Sequence, residues 1–97
     1  MTSLLLMVLM AQTYTKVVPV GPAPTARIDG TIAYDADAGD LYVFGGQNNQ
    51  TLNDLWRFSL TQKTWSLVEP GDLTPLARFG HTLLFDAKRR RLVMFGG

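Results

Sequence analysis

One histidine, two repeated arginines, a run of four cations, three neighbouring aspartates and two tryptophans are the side chains of this sequence that could do chemistry. His81 with Asp86 or Asp29 would make an acid–base pair, the imidazole moving a proton and the carboxylate orienting it. Arg27 and Arg78 would grip a carboxylate or another anion through the two prongs of the guanidinium. Lys88-Arg-Arg-Arg91 would neutralise several phosphates of a nucleic acid. Asp35, Asp37 and Asp40 carry the oxygen ligands that calcium takes. Trp56 and Trp65 offer flat faces for a sugar or a peptide.

Each of these has a plainer reading, because the sequence repeats itself with a shift of 51 positions. Leu41-Tyr-Val-Phe-Gly-Gly46 returns as Leu92-Val-Met-Phe-Gly-Gly97, and Pro24-Thr-Ala-Arg27 as Pro75-Leu-Ala-Arg78. Ten of the 23 positions from Pro24 to Gly46 are identical in the second copy. Gly30 stands where the second copy has His81, so a packed structural histidine is expected rather than a catalytic one. The acidic Asp37-Ala-Gly-Asp40 stands opposite Lys88 to Arg91, so the basic run follows no repeat rule and is expected to be a solvated hairpin turn. The aspartates miss the EF-hand spacing and suit turns. The tryptophans fall at period two and belong in a core. The arginines are kept in both copies, where a structural bond from one repeat to the next, to a carboxylate or a backbone carbonyl, is expected.

The elements follow from the hydrophobic pattern. Ile28 to Tyr34 alternates, with Ile28, Gly30, Ile32 and Tyr34 on one face, which predicts a strand. Asp35 to Asp40 is a turn, and Leu41 to Phe44 is an apolar run expected of a strand covered on both faces. Gly45-Gly46 ends it. Gln47 to Thr51 is a polar loop. Asn53 to Leu60 is a strand with Trp56, Phe58 and Leu60 on one face and Leu55 and Arg57 on the other. Thr61-Gln-Lys63 turns the chain into a fourth strand, Thr64 to Val68, and Glu69 to Thr74 connects to the second copy. No helix is predicted after residue 12. A period near 50 residues with this content is the mark of a β-propeller blade array.

These residues resemble kelch repeats. The matching features are Pro24-x-Ala-Arg27 and Pro75-x-Ala-Arg78, the double glycines Gly45-Gly46 and Gly96-Gly97, Phe58 with Trp65 seven residues later, and His81. The resemblance implies an all-β fold of four-stranded antiparallel blades, about one and a half to two of them in this chain. It implies a non-enzymatic scaffold that binds a protein partner through blade loops, here Gln47, Asn48, Asn49, Gln50 and Asp72. A galactose-oxidase-like, carbohydrate-acting propeller is the alternative. Its copper chemistry does not carry over, since that needs a cross-linked cysteine and this chain has none.

Composition bounds the rest. A net charge of +1 argues against nucleic acid or acidic lipid as a main partner. One histidine and no cysteine leave no multi-histidine or thiolate metal site, so no catalytic, cofactor or metal residue is expected. Met1 to Ala11 is apolar, too short to span a bilayer, and reads either as a signal-like segment or as a degenerate outer half-blade. The compartment, cytoplasmic or secreted, stays open. The expected units are residues 1–19, then a complete blade over 20–68 and the first half of the next over 69–97. A closed ring needs about 250 residues. The chain is therefore expected to be part of a larger propeller or to complete one by self-association.

Overall fold

A computed structural model of the chain describes residues 6–10, 13–69 and 75–97, with side chains from Val17 onward. It holds eight strands in chain order: β1 Leu6–Met10, β2 Thr13–Val17, β3 Thr31–Asp35, β4 Asp40–Phe44, β5 Leu55–Ser59, β6 Thr64–Leu67, β7 Thr82–Asp86 and β8 Arg91–Phe95. They form an antiparallel hairpin β1–β2, a four-stranded up-and-down sheet in the order β3-β4-β5-β6, and a second hairpin β7–β8. The connection around Pro70-Gly71 lies outside the described residues.

Both copies of the repeat turn in the same way, and the sequence dictates how. The Asp35 carboxylate accepts the backbone N–H of Asp37 and Ala38 at 3.1 and 3.3 Å. Asp86 accepts those of Lys88 and Arg89, both at 3.2 Å. A short acidic side chain that captures amides two and three residues on folds the chain into a tight hairpin. Asp35 and Asp40 thus pair at the mouth of the hairpin as the last and first strand residues.

The first strand of the blade begins at Thr31, three residues later than its alternation predicts. Ile28 instead exchanges backbone bonds with Gln47, both at 2.9 Å, and Asp29 adopts a φ of 59°. A left-handed residue cannot continue a ladder, so Ile28 and Gly30 belong to the entry loop. Elsewhere period two holds. Trp56, Phe58 and Leu60 pack into one cluster with Val43 and Trp65, while Leu55 joins another with Ala33, Phe44 and Leu83. Adjacent residues Val43 and Phe44 thus serve opposite faces of β4, and both are buried. Val17 of β2 meets the first cluster, and Leu83, Phe85, Leu92 and Met94 of β7–β8 line the second. The central sheet thus carries a packed cluster on each side, while Ile32 and Tyr34 of β3 stay exposed.

The outer edge of the sheet is covered as well. Val20 donates to the Lys63 carbonyl at 3.0 Å and forms a parallel bridge with Thr64 beside β6. Pro19 and Pro22 flank that contact and have no N–H to extend it, which keeps the pairing short and blunts the edge.

Candidate functional site

Two places concentrate polar side chains: the joint between the two repeats, and the loop end of the four-stranded sheet. At the joint, Thr31 Oγ1 and His81 Nε2 are hydrogen-bonded at 2.6 Å. The imidazole meets the Phe44 ring edge-on at 5.5 Å, and His81 is buried. Neither expected carboxylate reaches it. Asp29 accepts the Gln47 amide at 2.9 Å, and Asp86 serves its own turn. No acid–base pair forms.

The second polar tie of the joint runs against the reading of the basic turn as merely solvated. Arg90 reaches across to Asp35, whose carboxylate is only 1 % exposed, with one bond at 3.0 Å and a second from its other prong. The same guanidinium lies over the Phe85 ring at 4.9 Å, and Phe85 stacks on Tyr42 at 6.0 Å. Arginine suits this place because its flat cation stacks on an aromatic and still donates a bidentate pair. Lys88, Arg89 and Arg91 do stay exposed. Asp37 lies 3.6 Å from the Arg90 guanidinium, so Arg90 sits between two of the three aspartates, and among the described residues no cluster of metal-ligating side chains occurs.

At the loop end, Arg27 is saturated. Its two prongs bond both oxygens of Asp54 at 2.6 and 2.9 Å, and further bonds go to the Gly45 carbonyl at 3.1 Å and to Thr25. Trp56 Nε1 donates to the same carboxylate at 2.7 Å. These partners lie within one repeat, not across two as the repeated arginines suggested. Arg78 follows the same pattern with the Leu76 and Gly96 carbonyls, both at 3.2 Å. The Arg27 guanidinium, spent in this way, has nothing left for an external anion, whereas Arg78 has no carboxylate partner among the described residues.

Beside Arg27 runs a shallow groove of about 390 Å3, lined by Ala26, Ile28, Gln47, Asn48 and Asn49. Its outer wall is the Gln47–Gln50 loop. Backbone bonds to Ile28 and the Gln47 bond to Asp29 pin one end of the loop, and the Asn48 carboxamide accepts the Gln50 N–H at 3.2 Å. Asn48, Asn49 and Gln50 are exposed. Asp72, the other loop residue expected to meet a partner, lies outside the described residues.

Two carboxyls have pKa values held below their ordinary position. For Asp35 the Arg90 bond lowers the value against the opposing effect of burial. For Asp54 burial pushes upward, and the bonds from Arg27 and Trp56 outweigh it. In both, the unfolded chain takes up the proton first as pH falls below about 4. The stability these carboxylates contribute is therefore full above that value and lost as pH falls through their folded pKa. The thermal midpoint is expected to drop below about pH 4. An Asp35→Asn/Asp54→Asn variant should melt lower at neutral pH yet show a flatter acid limb.

The chain as a whole has relatives among known proteins. A family model described as the KLHDC2/KLHL20/DRC7 Kelch-repeats domain matches residues 1–97. The chain belongs to the kelch-repeat family. Human Host cell factor 2 is 34 % identical over 80 residues, covering 80 % of this chain and 10 % of that protein. Mouse Multiple epidermal growth factor-like domains protein 8 is 39 % identical over 77 residues, covering 78 % and 3 %. The Rho GTPase-activating protein gacHH of Dictyostelium discoideum is 34 % identical over 61 residues, covering 59 % and 4 %. The chain thus spans a tenth or less of these relatives. Its fold is that of kelch blades in a partial all-β propeller, and such domains generally act as protein-interaction scaffolds.

Two residues of the kelch blade escaped the sequence reading. Asp54 was absorbed into a strand start, and Arg90 into a charged turn. Arg27 carried a signal for the first, since a repeated arginine needs an acceptor and Asp54 is the acid next to Trp56. Nothing local signalled the second.

Proposed function

We propose that this chain is a non-enzymatic protein-binding module whose partner is held at the Gln47–Gln50 loop and the groove beside it. The observation that carries this reading is the pairing of a pinned loop with free ends. Gln47 is tied to Asp29 and Ile28, while the Asn49 and Gln50 side chains make no hydrogen bond among the described residues. Exposed amides on a rigid scaffold supply directional bonds at little ordering cost. The residues of the kelch motif serve the scaffold instead: Arg27, Gly45, Gly46, Phe58, Trp65, Arg78, His81, Gly96 and Gly97.

The test is affinity capture from cells that make the protein, with three baits. A protein held by the unaltered chain and by Lys88→Ala, but lost by Asn49→Ala/Gln50→Ala, supports the loop as the partner site. Equal capture by all three baits removes the loop from the interface.

A second reading concerns assembly. Residues 1–19 serve as an outer half-blade, 20–68 as the complete blade and 69–97 as the inner half of the next. A hairpin of the outer kind and one of the inner kind are complementary, and in this reading copies of the chain complete each other's blades. Three copies would make a ring of six blades. What favours this is that the apolar side chains Ile32 and Tyr34 of β3 and Leu84 and Phe95 of β7–β8 are exposed.

A further inference from the structure

The groove beside Arg27 lies on a rim that stays open when repeats pack together. Shifted by 51 positions, Ala26, Ile28 and Asp29 become Ala77, Phe79 and Gly80. All three are exposed, although the first repeat packs against β7–β8 through Ala33, Phe44 and Leu83. Phe79 is 42 % exposed, and a side chain at Gly80 would meet nothing within 4 Å. A preceding repeat therefore leaves this rim free, and a following one is already in place beside the first.

Charge sorts what fits there. Arg27 lines the groove, but its cation is cancelled by Asp54. Asp29, next to Ile28, is exposed, and among the described residues no lysine or arginine pairs with it. One oxygen of its carboxylate accepts the Gln47 amide at 2.9 Å, and the other accepts nothing among the described residues. The position of this carboxylate is fixed. Asp29 holds a φ of 59°, Ile28 before it is bonded to Gln47, and the Asp29 carbonyl accepts the Gly80 N–H at 3.3 Å. Gly80 takes a φ of 70° at the same place in the second copy. The turn needs the freedom of glycine and no carboxylate. Asp29 thus brings to a strained position a charge that the scaffold leaves unpaired.

We infer that the groove receives a basic peptide segment, in which a lysine or arginine pairs with Asp29 and an aliphatic neighbour covers Ile28. This rests on the reading that a partner is held at the Gln47–Gln50 loop, and it adds the chemistry of that partner. Ile28 is 65 % exposed and, with Ala26, gives the groove its apolar lining. The amides of Gln47, Asn48 and Asn49 can bond a peptide backbone and carry no charge of their own. An acidic segment would meet Asp29 with no free cation in the groove to offset it. A nucleic acid fails for the same reason.

Selection of a random phage-displayed peptide library on the 97-residue chain tests this. The recovered peptides should carry lysine or arginine next to an aliphatic residue, and their affinity should fall as salt rises. Asp29→Asn keeps an acceptor for Gln47 and tolerates the left-handed backbone, so it removes the charge alone. It should weaken these peptides about fivefold. Asp29→Lys should redirect the selection to acidic peptides, and Lys63 already holds such a backbone at φ 58°. Circular dichroism checks that each variant folds. Neutral or acidic peptides that bind the unaltered chain and are lost by Asn49→Ala/Gln50→Ala would overturn the basic partner while sparing the loop. A loss in Asp29→Gly that Asp29→Asn does not share would do the same, since Asp29 would then be only a tether for Gln47. Recovery of no peptide, or of peptides that none of these variants weakens, would overturn both readings.

Discussion

Phe58→Ala is expected to remove about 3–5 kcal/mol of stability, the largest loss from any single truncation in the sheet. Phe58 is 0 % exposed, and its ring meets Trp65 at 4.9 Å. Val43, Val17, Leu41, Trp56 and Leu60 complete its surroundings. Those residues come from β2, β4, β5, β6 and the turn after β5. Removing the ring therefore opens a void at the meeting point of four strands, and strands held by ladder bonds cannot collapse into it. The loss is the transfer energy of the ring plus the cost of the cavity. Denaturant melts followed by tryptophan fluorescence measure it directly, because Trp65 reports the same site. Val18→Ala on the exposed entry segment is the control and should stay within about 0.5 kcal/mol. Equal losses in both variants would mean that this cluster is not the core of the blade.

The sequence made the faces of the sheet legible and left its joints obscure. Period two is a local property, so Phe58 and Leu55 could be assigned to opposite sides without knowing what covers either. The unbroken apolar run of Leu41 to Phe44 is likewise local, and it marked a strand covered on both faces, where Val43 and Phe44 are both buried. The start of β3 was misread because Asp29 looks no different from a strand residue until its φ is known. The Asp35–Arg90 pair was hidden more deeply. The two residues are 55 positions apart, and one copy of the repeat has glycine at the arginine position. What joins them is the angle at which one repeat leans on the next, and composition carries no trace of that angle. The groove beside Gln47 was half legible: a polar loop was evident, but not that Gln47 would be tied down and Asn49 left free.

Gly45→Ala is expected to cost about 3 kcal/mol and, unlike most core changes, to uncouple the two repeats while leaving the first intact. Gly45 has a φ of +69°, which alone costs a residue with a side chain about 1–3 kcal/mol. A Cβ there would lie 2.6 Å from the Arg78 carbonyl oxygen and 3.1 Å from the His81 ring. Both belong to the second repeat, so the strain is relieved by moving that repeat away. The movement breaks the Gly46 N–H bond to Arg78 at 2.9 Å and the Thr31–His81 bond. Gly46→Ala should behave differently, because its Cβ would strike Ile28 and Gly30 of its own repeat at 2.8 to 3.0 Å. The adjacent glycines therefore have separate tasks, one closing the blade and one admitting its neighbour. Amide hydrogen exchange distinguishes them. In Gly45→Ala the amides of β7–β8 should lose protection while those of β4 and β5 keep it. In Gly46→Ala the loss should begin at Ile28 and Gln47, whose mutual bonds cross the same site. If both variants lose protection evenly across the chain, the repeats unfold as one unit, and the joint has no separate stability for Gly45 to guard.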